Sequence, residues 1–471
     1  MKHLALALAF LLALFAGNAF ARQEVTIGIG IQNTTTNTVT GGAVIQHLGL
    51  LEKYLPRTGK YKDIDFRLDW QNFTSGPPIT NGMMANRLQI GMMGDYPLLV
   101  AGATGQSQPG NETALVAVIA YNAFGSGNGI VVHKDSPYYR LEDLKGKVVS
   151  VPFGSAAHGM VLQALQARGL PPDFFQLVSQ SPEVGTTNLQ ERKIDAHADF
   201  VPFADLLPYR GFARKIFDGV QTKVPTFHGV IVRKDFARQY PEVVVAYIRA
   251  LIDANAWVRA NPAQAAAKIE EWTHVEKEVA YLYLGPSGIH TLDPTIKPRW
   301  LDTIRIGHEV LAKLNRVKPL DVGAWVDESY VREAFKLDHL DYEAQKQTLA
   351  NYEIGGTDAF CRTPITRPQQ AGEVWLDGAG VSAYSSPLCT LGAIHAFEEQ
   401  HRKVRVAYLM DNALGIKLFA DKAFFAVDAR DPKKPLIVPF LLKADAEAEA
   451  QRIGGRLATY PEALAAAAAA F

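Results

Sequence analysis

The sequence predicts an α/β protein with a mostly parallel sheet, followed by a smaller α+β unit. Three observations predict it. From residue 25 to about 225, short apolar strands alternate with polar loops and amphipathic helices. The run LEDLKGKVVSVPFGSAAHGMVLQALQARGL, residues 141–170, reads as a short helix, a turn at Gly146, a buried strand at 148–151, a Gly-Ser loop and a helix ending near Gly169. Beyond Gly355-Gly356 the texture shifts to short strands.

Taken in order, residues 25–31 (VTIGIGI) give a first strand, followed by a polar run at 32–40. Residues 41–55 carry Val44, Ile45, Leu48, Leu51 and Leu55 on one helical face. Strands at 65–70 and 88–92 flank a helix at 79–86. After residue 225 come a strand at 229–233 and amphipathic helices at 242–261, 262–272, 298–314 and 324–337. Residues 338–354 read as a polar linker. Strands at 373–376, 404–409 and 424–427 then precede two last helices, 445–453 and 460–470. The terminal alanine run is expected to fray.

Residues 1–21 read as a cleavable signal peptide: Met1-Lys2-His3 is basic, residues 4–16 are apolar, and Ala19 and Ala21 suit cleavage after Ala21. An apolar run of about 13 residues is short for a membrane span. No cysteine follows it to carry a lipid, so a soluble periplasmic protein with no membrane anchor is expected. The 450 residues left from 471 after removal of 21 suffice for two or three compact units. Lys plus Arg balance Asp plus Glu at 48 each, which argues against a nucleic-acid surface. No Walker A loop, G-x-S-x-G elbow or zinc-type cluster is present.

Six pieces then come in a telling order: LGLLEKYLP (48–56), FTSG (73–76), IGMMGDYP (90–97), EDLKGK (142–147), GSAAH (154–158) and ERKIDAHADFVPFAD (191–205). Together they resemble the nitrate/sulfonate/taurine-type substrate-binding proteins of ABC importers. The resemblance implies a bilobed periplasmic-binding-protein fold of type II character over 22–337. One lobe would comprise about 25–120 plus the chain after 225, and the other about 120–225. It further implies a monomeric solute receptor, not an enzyme, that hands a small molecule to an ABC permease. Pyrimidine-making relatives of this fold carry a cysteine-rich motif that is absent here.

Carried over by motif, the cleft would be lined by Ser75 and Gly76, Gly94 and Asp95, Gly154, Ser155 and His158, and Phe200 with Pro202. Ser hydroxyls, Gly amides and an aromatic wall suit a small polar ligand. Each has a plainer reading. Ser75 could belong to a simple turn, Asp95 could cap the next helix, His158 could be packed or solvent-facing, and Phe200 could be core. The run Asn33 to Thr38, with Thr36 and Asn37, is either a surface loop or a wall of short hydrogen-bonding groups. No arginine stands at the matched positions, so an amine or heteroaromatic ligand is as compatible as an oxyanion.

In the last region FCRTP (360–364), VWLDG (374–378), SSPLC (385–389), VRVAYLMDNA (404–413), FFAVDA (424–429) and ADAEAEAQRIGGRLATYPEAL (444–464) resemble the NosL-like accessory family linked to copper delivery. This implies a small α+β domain over 355–471. Cys361, Cys389, Met410 and His395 are its candidate ligands for Cu(I), a soft ion that prefers thiolate and thioether. Here Cys361 is followed by Arg362 and Thr363, so the methionine usual in that family is missing. The alternative is a Cys361–Cys389 disulfide closing a loop of about 28 residues, worth ~3 kcal/mol. A metallochaperone is accordingly the second functional reading.

Overall fold

The computed structural model describes residues 22–314, 316–349 and 352–471; the expected signal peptide lies outside the described residues. Two mixed sheets form two lobes. The first has strand order β2-β1-β3-β10-β4-β11, from Ile64–Asn72 (β2), Gln23–Ile31 (β1), Ile90–Gly94 (β3), Thr226–Arg233 (β10), Thr113–Asn122 (β4) and Thr291–Leu292 (β11). The second has order β7-β6-β8-β5-β9, from Gln176–Ser179 (β7), Val148–Val151 (β6), Ala196–Asp199 (β8), Gly129–His133 (β5) and Ala213–Asp218 (β9).

The chain leaves the first lobe after β4 and returns at β10, through residues 123–128 and 219–225. In each sheet the strand entered from a crossover runs antiparallel to its neighbours: β5 against β8 and β9, β10 against β3 and β4. The remaining β1, β2 and β3 pair in parallel, as do β6, β7 and β8. Strand β4 (TALVAVIAYN) is buried along almost its whole length, which explains an apolar run without alternation.

Several local expectations are corrected. Residues 41–55 do not form one helix. A π-turn at Thr40–Val44 leads into Ile45–His47, and Gly49 at φ +61° breaks the run before Leu50–Tyr54. Left-handed backbone costs glycine nothing, so the apolar face is kept while the axis changes. Residues 324–337 likewise split into Val322–Trp325 and Ser329–Leu337, because Val326 bridges to Leu115. Residues 338–349 are docked. Tyr342 is buried, and Lys346 and Tyr342 bond Glu328 at 2.7 and 3.0 Å. The final helix Tyr460–Ala468 packs Ala463 and Ala467 inward, and Phe471 meets Phe360 edge-on at 4.8 Å.

The C-terminal module holds two antiparallel sheets, β13-β12-β14-β15 and β17-β16-β18. Their strands are Gly372–Leu376 (β12), Gly380–Tyr384 (β13), Val404–Met410 (β14), Lys417–Phe419 (β15), Phe424–Asp428 (β16), Leu436–Phe440 (β17) and Arg456–Ala458 (β18). The helix Pro387–Glu399, which its mixed polarity hid from sequence reading, covers one face. The module is docked against both the second lobe and the helix Lys277–Leu284. Trp375, Val406, Tyr408 and Phe419 belong to the same apolar core as the lobes. Arg405 pairs with Glu278 at 3.0 Å, Tyr281 donates to Glu373 at 2.9 Å, and Tyr209 packs on Phe419 at 5.2 Å.

Cys361 and Cys389 are joined in a disulfide with Cα atoms 5.9 Å apart. The loop spans 28 residues, so reduction is expected to lower stability by about 3–4 kcal/mol through chain entropy. Chemical denaturation with and without reductant checks this; an unchanged midpoint would show that the bond constrains nothing.

Candidate functional site

The strand ends of both lobes converge on the crossovers. After β1 the chain folds inward, burying Thr35, Thr36, Asn37 and Thr38 at 0–1% exposure. The surface-loop reading of this run is therefore wrong. Gln32 bonds the carbonyl of Met92 at 3.0 Å, and Thr38 Oγ1 donates to the carbonyls of Gln32 and Thr35, both at 3.0 Å. These bonds turn the loop into a wall beneath β3. Asn37 Nδ2 lies 2.8 Å from His228 Nδ1 and 3.3 Å from His290 Nε2. One amide thus links the first strand loop to β10 and to the segment before β11.

From the second lobe, Ser155 caps the helix Ala156–Ala167 by accepting from the His158 amide at 3.3 Å. Gly154, at φ +80°, donates its N–H to His158 Nδ1 at 3.1 Å. That bond fixes the tautomer, so Nε2 carries the proton. Phe153 stacks on the imidazole at 4.7 Å and Tyr96 of the first lobe meets it edge-on at 5.8 Å. The lobes are in contact here. A Cβ built on Gly94 would lie 3.0 Å from Ala156, and one on Gly154 3.0 Å from Pro77.

Tyr96 OH and His158 Nε2, which meet at this seam, are buried with no hydrogen-bond partner, as are Thr35, Thr36 and Thr40 Oγ1 and Asn37 Oδ1 after β1, and Ser126 Oγ and Asn128 Oδ1 in and beside the first crossover. Each such group costs about 1–3 kcal/mol if nothing bonds it. They come from both lobes and from the first crossover.

The site is nearly neutral. Burial holds His158 down to about 4, with Arg316 adding to the effect, and holds His228 down to about 3. His290 is lowered well below its usual value by burial, then by His228. Asp95, enclosed beside Thr226 and accepting from the Tyr96 amide at 2.7 Å, is raised to about 6 by burial. At His228 the unfolded chain takes up a proton below about pH 6.5, whereas the folded one does not until about pH 3, so its stabilising share is lost as pH falls through that window. His228→Gln is expected to lose less stability than the wild type between pH 7 and pH 4. The difference should grow by up to about 1.4 kcal/mol per pH unit below 6.5, and an equal loss of urea stability in both proteins between the two pH values would contradict it.

Of the sequence candidates, the structure brings together Thr36, Asn37, Gly94, Asp95, Gly154, Ser155 and His158. Ser75 precedes the helix Gly76–Met84 without bonding its amides, and Gly76 lies against Pro97, where a Cβ would come within 2.5 Å. Phe200 is 3% exposed and packs edge-on to Phe203 at 5.8 Å; it is core. His228, His290, Tyr96, Ser126 and Asn128 were missed. Tyr96 lies within the IGMMGDYP piece, next to the chosen Asp95, whereas His228, His290, Ser126 and Asn128 sit singly outside the six pieces, and the topology unites them.

The copper ligands do not assemble. Asp358, Cys361 and Cys389 lie close enough to hold an ion, but the two sulfurs are bonded to each other. Asp358 already accepts from the amides of Phe360, Cys361 and Ser385 and from the Ser385 hydroxyl, at 2.6–2.8 Å. Met410 packs elsewhere, with Ile354 and Ala371, and His395 pairs with Glu399 at 3.4 Å. A disulfide offers no thiolate to the candidate Cu(I) ligands, and of the two readings of the cysteines the disulfide is the one the structure contains.

Comparison with known proteins agrees with the geometry. Residues 110–265 match the family described as NMT1/THI5 like. The chain is 33% identical over 202 residues to the taurine-binding periplasmic protein of Escherichia coli (strain K12), covering 43% of this chain and 60% of that protein's length. The alkanesulfonate-binding protein from Xanthomonas axonopodis pv. citri bound to MOPS superimposes with TM-score 0.55 at 19% identity, over 65% of this chain and 99% of its own. The periplasmic aliphatic sulphonate binding protein from Escherichia coli does so with TM-score 0.51 at 21% identity, over 64% and 96%. No helix among the described residues is long and apolar enough to cross a membrane. The two lobes of this chain thus have the fold of the periplasmic sulfonate-binding proteins.

Proposed function

We propose that the chain is a periplasmic solute receptor that encloses a small polar molecule between its lobes and presents it to an ABC importer. The observation that carries this reading is the seam of buried, partnerless polar atoms contributed by both lobes. A ligand bonding groups of both lobes is held only when the lobes meet, so binding favours closure. Sulfonates are the first candidates, because relatives with this fold bind taurine and alkanesulfonates. The donors here would be neutral: threonine hydroxyls, Tyr96 OH and His158 Nε2–H. Arg316 supplies the positive field felt at Tyr96 and His158. Asp95 would receive an amine, which makes an aminosulfonate a better match than a bare one.

Thermal-shift and calorimetric titration with taurine, ethanesulfonate, nitrate and simple amines tests this. Taurine is expected to bind more tightly than ethanesulfonate, and Asp95→Asn to remove that preference. Equal or absent binding of all four would reject the sulfonate assignment.

The C-terminal module's likeness to the copper-accessory family supports its belonging to a periplasmic protein. With the disulfide formed, copper delivery is the weaker reading, and we assign the module a docked, accessory role.

A further inference from the structure

A second cavity lies at the junction of the second lobe and the C-terminal module, away from the cleft. It measures about 200 Å³ and is lined on one side by Lys134, Pro208, Ala213 and Arg214, and on the other by Leu418, Phe419, Lys422 and Leu441. The floor is apolar. An engineered apolar cavity of roughly 150 Å³ takes up benzene, so this one has room for an aryl or short alkyl body.

Its charge is unbalanced. Lys215, at the inner edge, is matched by Asp205 at 2.7 Å and Asp218 at 3.0 Å, and Lys422 by Asp421 at 2.8 Å. Lys134 and Arg214 form no ion pair among the described residues. Arg214 donates to the carbonyls of Lys134, Ser136 and Tyr138 at 2.6–2.8 Å and stacks on Tyr139 at 4.0 Å. Its Nε–H is buried with no acceptor. Lys443 of the module approaches the same Tyr139 ring at 4.5 Å. Lys443 is itself paired with Glu447 at 3.5 Å, and Asp135 lies within electrostatic reach of Arg214, so the cations of the cavity wall without an ion pair are Lys134 and Arg214, of which Arg214 keeps one unused buried donor.

We propose that this junction is a second ligand site, for a small organic anion with an apolar body. Its acid group would meet Arg214 and Lys134, and its body would lie on Leu418, Phe419 and Leu441. Bridging the lobe and the module, such a ligand would strengthen their docking.

The test is isothermal titration of the full-length protein with benzoate and hexanoate, set against benzyl alcohol, hexanol and inorganic sulfate. The acids are expected to bind with single-site stoichiometry, with the alcohols and sulfate at least about tenfold weaker, a difference of 1.4 kcal/mol. Leu418→Trp, which fills the cavity, should weaken the acids by a similar factor, and the surface variant Lys134→Glu severalfold without loss of folding. Gly159→Leu, at the cleft seam, should leave them unchanged. No acid binding, equal binding of acid and alcohol, retention in both junction variants, or loss confined to Gly159→Leu would each overturn the proposal.

Discussion

Gly159→Leu is expected to weaken solute capture by about one to two orders of magnitude while leaving the unliganded protein folded. Gly159 lies within the helix Ala156–Ala167 of the second lobe, and a Cβ there would come 2.4 Å from Tyr96 Cδ2 and 2.9 Å from its Cγ. Tyr96 belongs to the helix Asp95–Gln106 of the first lobe, so the clash exists only while the lobes are together. Overpacking of this kind costs about 1–3 kcal/mol, which is roughly a 5- to 150-fold loss of affinity. The separated lobe gains helix propensity, about 0.5–1 kcal/mol over glycine. Small-angle scattering should show a protein that stays extended on adding ligand, with undiminished melting in its absence. Retained affinity would mean that closure at this seam is not how the solute is held.

Glu373→Ala is expected to destabilise the protein by about 3–5 kcal/mol, by leaving a buried cation without its partner. Lys417 is fully buried, ion-paired with Glu373, donates to the Pro286 carbonyl at 2.9 Å, and lies over the rings of Tyr281 and Tyr408 at 4.5 and 4.8 Å. Burial already pulls its pKa down, and Glu373 opposes that. Without the carboxylate, the ammonium must lose its proton or the module must part from the helix Lys277–Leu284. Urea denaturation and limited proteolysis near residues 338–354 read the effect. The double change Lys417→Met with Glu373→Leu should recover most of the loss, since it removes both charges. A neutral Glu373→Ala would show that the module is not held by this contact.

How far the sequence could be read depended on whether a feature was local. The strand-loop-helix run at 141–170 was legible because its signals lie side by side: Gly146, the VVSV strand, the Ser155 cap and Gly169. The helix Lys277–Leu284 was not, because it is buried all round and so lacks an amphipathic stripe. The composition of residues 33–38 leaves a surface loop and a buried wall equally open. The burial of this loop depends on strands β3 and β10, drawn from some 60 and 190 residues away. His228 and His290 carry no local signal at all. Two cysteines alone could not choose between disulfide and copper; the fold brings them within bonding distance and fills the valences of Asp358. The docking of the module is equally non-local, since Arg405, Lys417 and Phe419 meet partners more than a hundred residues earlier.

Capture of a solute between the lobes is tested most directly by native mass spectrometry of wild-type protein and Gly159→Leu, both released gently from periplasm without chelator or reductant. One small organic mass is expected on the wild type, little or none on the variant, and both chains two hydrogens lighter than the reduced form. A copper adduct on a chain with free thiols, with no organic mass on either protein, would contradict it.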